Sequence, residues 1–313
     1  MSDPLPPLPY AQWEPTKTTL HLMAQIAGKI KLEYAPFRNH WWHVTLHLTP
    51  RGFSTLRVPC GGESYFEIAF DLLDHRVAVG TNQTHEPLSF PLYDGLSVAE
   101  FYAKLVETLA AAGVPVHVWA KPYGVPIQTR FPDDTEHRSY DAVQVRRWWE
   151  IVLWSATVLE RFGSDFAGKQ SVPQLFWHSF DVAMTRFSGR LNPNPPTGNI
   201  VEREAYSHEC ISFGFWAGDA NVPMPAYYTY TAPEPADLAS LPLAPAQAKW
   251  QPSGNGHLGI LPYDAVRESA DPAAALTEFL RSGYEAGVRA ADWDVRAFTT
   301  ASAQPRSVRA RTR

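Results

Sequence analysis

Apolar and polar residues alternate from Thr19 to Ile26, and less regularly on to Leu32. A period of two is the mark of a half-buried strand. The same pattern recurs at 42–49, where Trp42, Val44, Leu46 and Leu48 alternate with His43, Thr45, His47 and Thr49. Tyr65–Phe70 and Arg76–Val79 are two further runs, and the Asp71–His75 segment between them reads as a hairpin turn capped by Asp71 or Asp74. The pattern then changes to helical. Ser97-Val98-Ala99-Glu100 has the form of a capping box, Val98, Phe101, Leu105 and Leu109 follow at helical spacing, and Gly113 ends the run. Val114–Trp119 reads as a strand. Asp141 caps a second helix striped by Val145, Trp148, Val152, Ala156 and Leu159.

The second half has the same order. Leu175–Phe187 reads as a strand or bent strand pair, and Glu204–Phe215, Tyr227–Thr231 and His257–Leu261 read as further strands. Asp271-Pro272 opens a last helix, striped by Leu276, Phe279, Leu280, Tyr284 and Val288. Runs of strands followed by helices predict an α+β fold, mainly antiparallel β-meanders with packed helices, in two similar β-then-α halves around a shared core. The expected organisation is a Pro-rich extended lead-in at 1–17, one unit at 18–298 with halves 18–163 and 170–298, and a basic tail at 299–313 carrying Arg306, Arg309, Arg311 and Arg313. Residues 190–199 and 232–256 read as long irregular loops.

Composition narrows the class. Of 313 residues, 45% are hydrophobic and 13% aromatic, which excludes wholesale disorder. The net charge of -5 argues against a protein that lives on a phosphate backbone. Two cysteines, Cys60 and Cys210, demand no disulfide, no apolar run reaches membrane-spanning length, and the start resembles no signal peptide. The expected location is the cytoplasm.

Familiar motifs fail on context. Gly254-Asn255-Gly256-His257-Leu258-Gly259 has the letters of a dinucleotide fingerprint, but a Pro-rich loop precedes it and a strand-like run follows, so no nucleotide cofactor is expected. There is no nucleophile elbow, no Cys-x-x-Cys and no His-Glu-x-x-His. What remains is five segments that set a His close to other reactive side chains: Asn39–His43, Asp71–His75, Asp133–Asp141, His178–Asp181 and Glu204–Glu209. His with Asp or Glu is the makeup of an acid/base pair or a metal site. His43 and His47 on one strand would lie about 13 Å apart, too far to share a metal, so a site must gather different strands. Tyr206, His208, Cys210 and Ser212 share one strand face; Glu209, Ile211, Phe213 and Phe215 share the other, where a carboxylate must be paired or protonated. The same reasoning turns either Asp181 or Arg186 inward, and a buried charge there needs a partner.

Asn39-His40-Trp41-Trp42-His43, Ser179-Phe180-Asp181 with Thr185-Arg186-Phe187-Ser188-Gly189-Arg190, and Glu204-Ala205-Tyr206-Ser207-His208-Glu209 with Gly214-Phe215-Trp216 together resemble a bacterial family, the domain of unknown function numbered five-nine-nine-six. The resemblance runs from Leu8-Pro9-Tyr10 to the helix of Tyr284. It implies one intact unit and implies no activity. His40, His43, His137, His208 and Glu209 match the pattern; His178 and His47 depart from it.

Three functions stay open. The first is an enzyme acting on a small molecule, with His137, Tyr140, Asp181, His208 and Glu209 as the acid/base groups and His40, Trp42, Arg186, Arg190 and Tyr206 holding substrate, the two arginines by clamping an anion. His43, His208 and Glu209 would form its metal set, which suits iron or zinc with open positions. The second is a small-molecule binding or sensing module, and the third a structural or partner-binding protein. Convergence of these residues on one point favours a site.

Overall fold

The computed structural model describes residues 5–299. The polypeptide opens with α1 (Tyr10–Tyr34). Six strands follow: β1 (His47–Thr49), β2 (Gly52–Ser54), β3 (Val58–Pro59), β4 (Tyr65–Asp71), β5 (Arg76–Thr81) and β6 (Leu88–Pro91). After α2 (Val98–Ala111) and α3 (Ala142–Gly163) come β7 (Gln174–Phe176), β8 (Asp181–Leu191), the short α4 (Ile200–Ala205), β9 (His208–Trp216), β10 (Ala226–Ala232), β11 (Lys249–Ser253) and β12 (Gly256–Pro262). The short α5 (Tyr263–Arg267) and α6 (Pro272–Ala290) complete the regular elements.

The fold is α+β, with two antiparallel sheets. The first runs β1-β2-β4-β5-β6, with β3 also on β4; the second runs β11-β12-β10-β9-β8-β7. Leu46 and Leu175 join them by exchanging backbone hydrogen bonds of 2.9 and 2.8 Å. One apolar core serves both: Phe53 and Phe70 of the first sheet, Trp148 of α3, Phe213 of the second sheet and Leu280 of α6 belong to a single cluster. No helix among the described residues is long and apolar enough to cross a membrane.

Several local readings hold for local reasons. Ser97 and Glu100 form the reciprocal capping box of α2, and Gly113 just beyond the helix has φ +78, a left-handed conformation that suits a residue without Cβ. Asp141 and Asp271 cap α3 and α6. The β4–β5 turn is held by Asp71 Oδ1, which accepts from the amides of Leu73 at 3.1 Å and Asp74 at 3.0 Å. Gly254 and Asn255 are the turn between β11 and β12.

Four readings are corrected. From Tyr10 on, the expected extended lead-in and the strand expected over 18–32 are instead one helix, α1, which contains Pro15. Every residue from Thr19 to Gly28 is buried, so the helix has no solvent face to impose a 3.6-residue pattern. Its polar side chains are individually satisfied. Gln25 brackets Tyr123, accepting its amide at 2.9 Å and donating to its carbonyl at 2.8 Å, and Lys31 Nζ donates to the Thr45 carbonyl at 2.6 Å. The strand expected at 42–49 shrinks to β1, because the chain turns through a short 3-10 segment at Asn39–Trp41. Val114–Trp119 forms no strand, and Trp119 is exposed. The segment 232–256, read as a loop, contributes β11 to a sheet edge. The basic tail at 300–313 lies outside the described residues.

Candidate functional site

Alternation along β8, β9 and β10 sorts the second sheet into two faces. Val182, Met184, Ile211, Phe213, Phe215 and Tyr227 enter the main core. The opposite face carries Asp181, Ala183, Thr185 and Phe187 on β8, His208, Cys210, Ser212 and Gly214 on β9, and Tyr228 and Tyr230 on β10. The β9 pairings place Thr185 beside Ser212 and Tyr230 on its far side. This face is mainly buried and unusually polar.

At one end, Tyr228 reaches across β9 and donates its hydroxyl to Asp181 Oδ2, while Ser179 donates to Oδ1. Tyr230 lies parallel to Tyr228, 6.1 Å away between ring centres, and its hydroxyl meets that of Tyr206 at 3.2 Å. Thr185 and Ser212 share a hydrogen bond of 3.0 Å. Burial raises all three phenols above their ordinary range, so they remain protonated donors at neutral pH.

At the other end stands His40. It and Trp41 are consecutive left-handed residues, with φ of +57 and +59. Two non-glycine residues in that region store backbone strain, which surrounding contacts must hold. They are held as follows. The His40 ring stacks on Phe187 at 4.3 Å, packs against Trp42 at 5.4 Å and meets His208 edge-on at 5.6 Å. Its Nδ1 lies 3.2 Å from the Ala205 carbonyl, and the amide of His40 points at Glu204. A carbonyl only accepts, so Nδ1 carries the proton and Nε2 the lone pair. That lone pair faces Lys169 Nζ at 2.6 Å. The ammonium in turn sits over the rings of Trp42 at 5.3 Å and Phe187 at 5.0 Å. Burial and the neighbouring ammonium lower the His40 pKa, and desolvation lowers that of Lys169 against the opposing pull of Glu204.

A sequence profile of one family matches residues 5–300. The chain belongs to the family of unknown function DUF5996. No curated protein and no solved structure matches it.

Of the residues singled out in the sequence, His40, Trp42, Tyr206, His208 and Asp181 lie on this one face or its rim. The others go elsewhere. His208 and Glu209 are successive in a strand and point to opposite faces; Glu209 accepts from Ser188 at 3.0 Å and Trp293 at 3.1 Å and pairs with Arg190 at 2.7 Å. His43 receives the Arg38 amide on Nδ1 at 3.2 Å and lies between Phe37 and Trp41. The expected metal set of His43, His208 and Glu209 is thus not assembled, and among the described residues no three His, Cys, Asp or Glu side chains stand together to hold a metal ion.

The expected anion clamp is not assembled either. Arg186 turns into the core, boxed by Phe162, Phe166 and Tyr284, and bonds to the Phe162 carbonyl at 2.6 Å and Asp165 at 3.0 Å. Arg190 pairs with Glu209 and binds the carbonyls of Ala291 and Asp292 past the end of α6. His137 and Tyr140, expected among the acid/base groups, sit instead just before α3, Tyr140 beside the first sheet. His137 pairs with buried Asp134 at 2.8 Å, and Tyr140 hydrogen-bonds His75 at 3.0 Å.

Lys169, Tyr228 and Tyr230 were not foreseen. For the tyrosines a signal existed: their i, i+2 spacing in a run of β-formers puts two phenols on one strand face. For Lys169 there was none, because its partner His40 is 129 residues away.

Proposed function

We propose that the His40 end of this face binds a small molecule and that His40 acts on it as a general base and acid, which makes the protein an enzyme. The observation that carries this reading is the buried imidazole of His40, held in a strained turn with one nitrogen fixed by a carbonyl and the other facing an amine at 2.6 Å. A fixed tautomer suits a proton-transferring histidine, and strained backbone clusters at functional sites. Trp42 and Phe187 supply apolar walls, and His208 a second imidazole at the edge. A small-molecule ligand in the cytoplasm fits the acidic net charge of -5 and the free thiols of Cys60 and Cys210. Binding without turnover is the second reading, since the same walls and donors would serve a sensor.

The test is a metabolite screen by thermal shift and ligand-observed NMR on the wild type, His40→Asn and His208→Ala. Asn tolerates the left-handed backbone of position 40, so the first variant removes the imidazole with least disturbance. Compounds that stabilise the wild type should lose that effect in both variants while circular dichroism stays unchanged. Equal stabilisation of all three proteins would refute the reading. Chemical conversion of a bound compound, followed by mass spectrometry, separates enzyme from sensor.

A further inference from the structure

Among the described residues no carboxylate lies within salt-bridge distance of Lys169; the group that meets its amine is the lone-pair nitrogen of His40, at 2.6 Å. That is an unusual partner for an ammonium. A surface lysine gains from water or from an acid; here the head is turned between two aromatic faces and an imidazole already committed on its other nitrogen. The backbone of Lys169 is also fixed. Its carbonyl accepts the Phe187 amide at 2.9 Å, and the next residue, Gln170, bridges to Arg186, so the loop is laced to β8. The residue is nonetheless open to solvent, which gives a solute a path to the amine.

We propose that Lys169 is a nucleophilic amine that condenses with a small aldehyde or ketone, with His40 taking and returning the proton. This deepens the reading of His40 as an acid/base group and rests on it. The step balances without any oxidant or reductant. The Lys169 ammonium gives one proton to His40 Nε2, and the free amine attacks the carbonyl carbon, forming a C–N bond and a carbinolamine. The imidazolium returns its proton to the hydroxyl oxygen, which leaves as water, and the product is a protonated imine on Nζ. The charge is the same before and after. The aromatic faces of Trp42 and Phe187 stabilise the cationic imine as they do the ammonium. Desolvation favours the free amine that must attack and outweighs the opposing pull of Glu204.

The test uses the intact protein with limiting benzaldehyde and sodium cyanoborohydride near neutral pH, and reads the benzylated lysines by peptide mass spectrometry. Lys169 should be modified roughly tenfold faster than Lys249, Lys104 and Lys121, with a pH midpoint below that of Lys249. In His40→Asn that advantage should disappear while the three other lysines react as before, and Lys169→Arg should carry no fast adduct. A Lys169 rate and pH midpoint equal to those of Lys249 in the wild type would overturn the proposal without any variant. If Lys169→Arg still binds a compound from the metabolite screen but Lys169 shows no enhanced labelling, the imine is refuted and the binding reading stands. If labelling is fast and the screen compounds bind without regard to His40, the reverse holds.

Discussion

The ring of Tyr228 lies on the backbone of Gly214. A Cβ at Gly214 would stand 2.5 Å from the ring carbons and the hydroxyl of Tyr228. Only glycine lets the phenol lie flat across β9 and reach Asp181 on β8. Gly214→Ala gains about 0.4–1 kcal/mol by restricting the unfolded chain. It loses about 1–3 kcal/mol to overpacking. The clash is the larger, so the variant should unfold at lower urea concentration than the wild type. In a Tyr228→Ala background the ring is gone and the same substitution should become neutral or stabilising. Urea midpoints of the four proteins check this reversal of sign.

Arg186 should matter far more than its ionic partner. The guanidinium is buried, with a side chain 2% exposed, whereas Asp165 is 49% exposed. Arg186→Ala empties the box of Phe162, Phe166 and Tyr284 and leaves the Phe162 carbonyl without its donor. The expected cost is about 3 kcal/mol. Asp165→Asn removes a half-exposed pair and should cost under about 1 kcal/mol. Equal losses in chemical denaturation would show that the ion pair, not the packing, holds this corner.

His21 predicts the direction of acid sensitivity. Its ring is buried in α1, bonded to the Trp177 carbonyl at 2.9 Å and stacked on Phe180 at 5.1 Å. Burial, aided by Lys17, pushes its pKa down to about 3. The folded state thus holds the neutral ring while the unfolded chain takes up a proton below its ordinary pKa of about 6.5. Between those values the unfolded state binds more protons, so stability falls as pH falls, by up to about 1.4 kcal/mol per pH unit from this residue. His47, lowered to about 4, acts in the same direction. His21→Gln should flatten the slope of stability between about pH 6 and pH 5, which urea titrations at the two values would measure.

The two thiols should differ in reactivity. Cys210 is buried on β9 and its pKa is pushed up to about 12 by desolvation. Cys60 is only partly covered. A thiol reagent should modify Cys60 in the native protein and Cys210 only at the rate of unfolding. Prompt labelling of both would mean that the second sheet opens at this position.

Elements whose cause is local or one-sided were legible in the amino-acid pattern alone. The Ser97–Glu100 box, the Asp141 and Asp271 caps, the stripes of α2, α3 and α6, and the β4–β5 turn at Asp71 each depend on neighbours within a few residues or on one face meeting solvent. The resemblance to the family was likewise legible in short strings. The remainder depended on contacts between distant parts of the chain. In α1, Thr19, His21 and Gln25 are as buried as Leu20 and Ile26, because their partners come from Pro15, Trp177 and Tyr123, two of them distant in the chain. A helix surrounded on all sides carries no 3.6-residue signal, and its polar positions imitate a strand. The Trp42–Thr49 alternation failed because the left-handed pair His40 and Trp41 turns the chain to set His40 on Phe187. The site itself was half legible: residue type named His40, Trp42, His208 and Asp181, but not which would meet. That depended on pairing β8 with β9 and β10, and on a loop that brings Lys169 to His40. Hydrogen-bond reach is about 3 Å, and no local pattern records which distant side chains fold to within it.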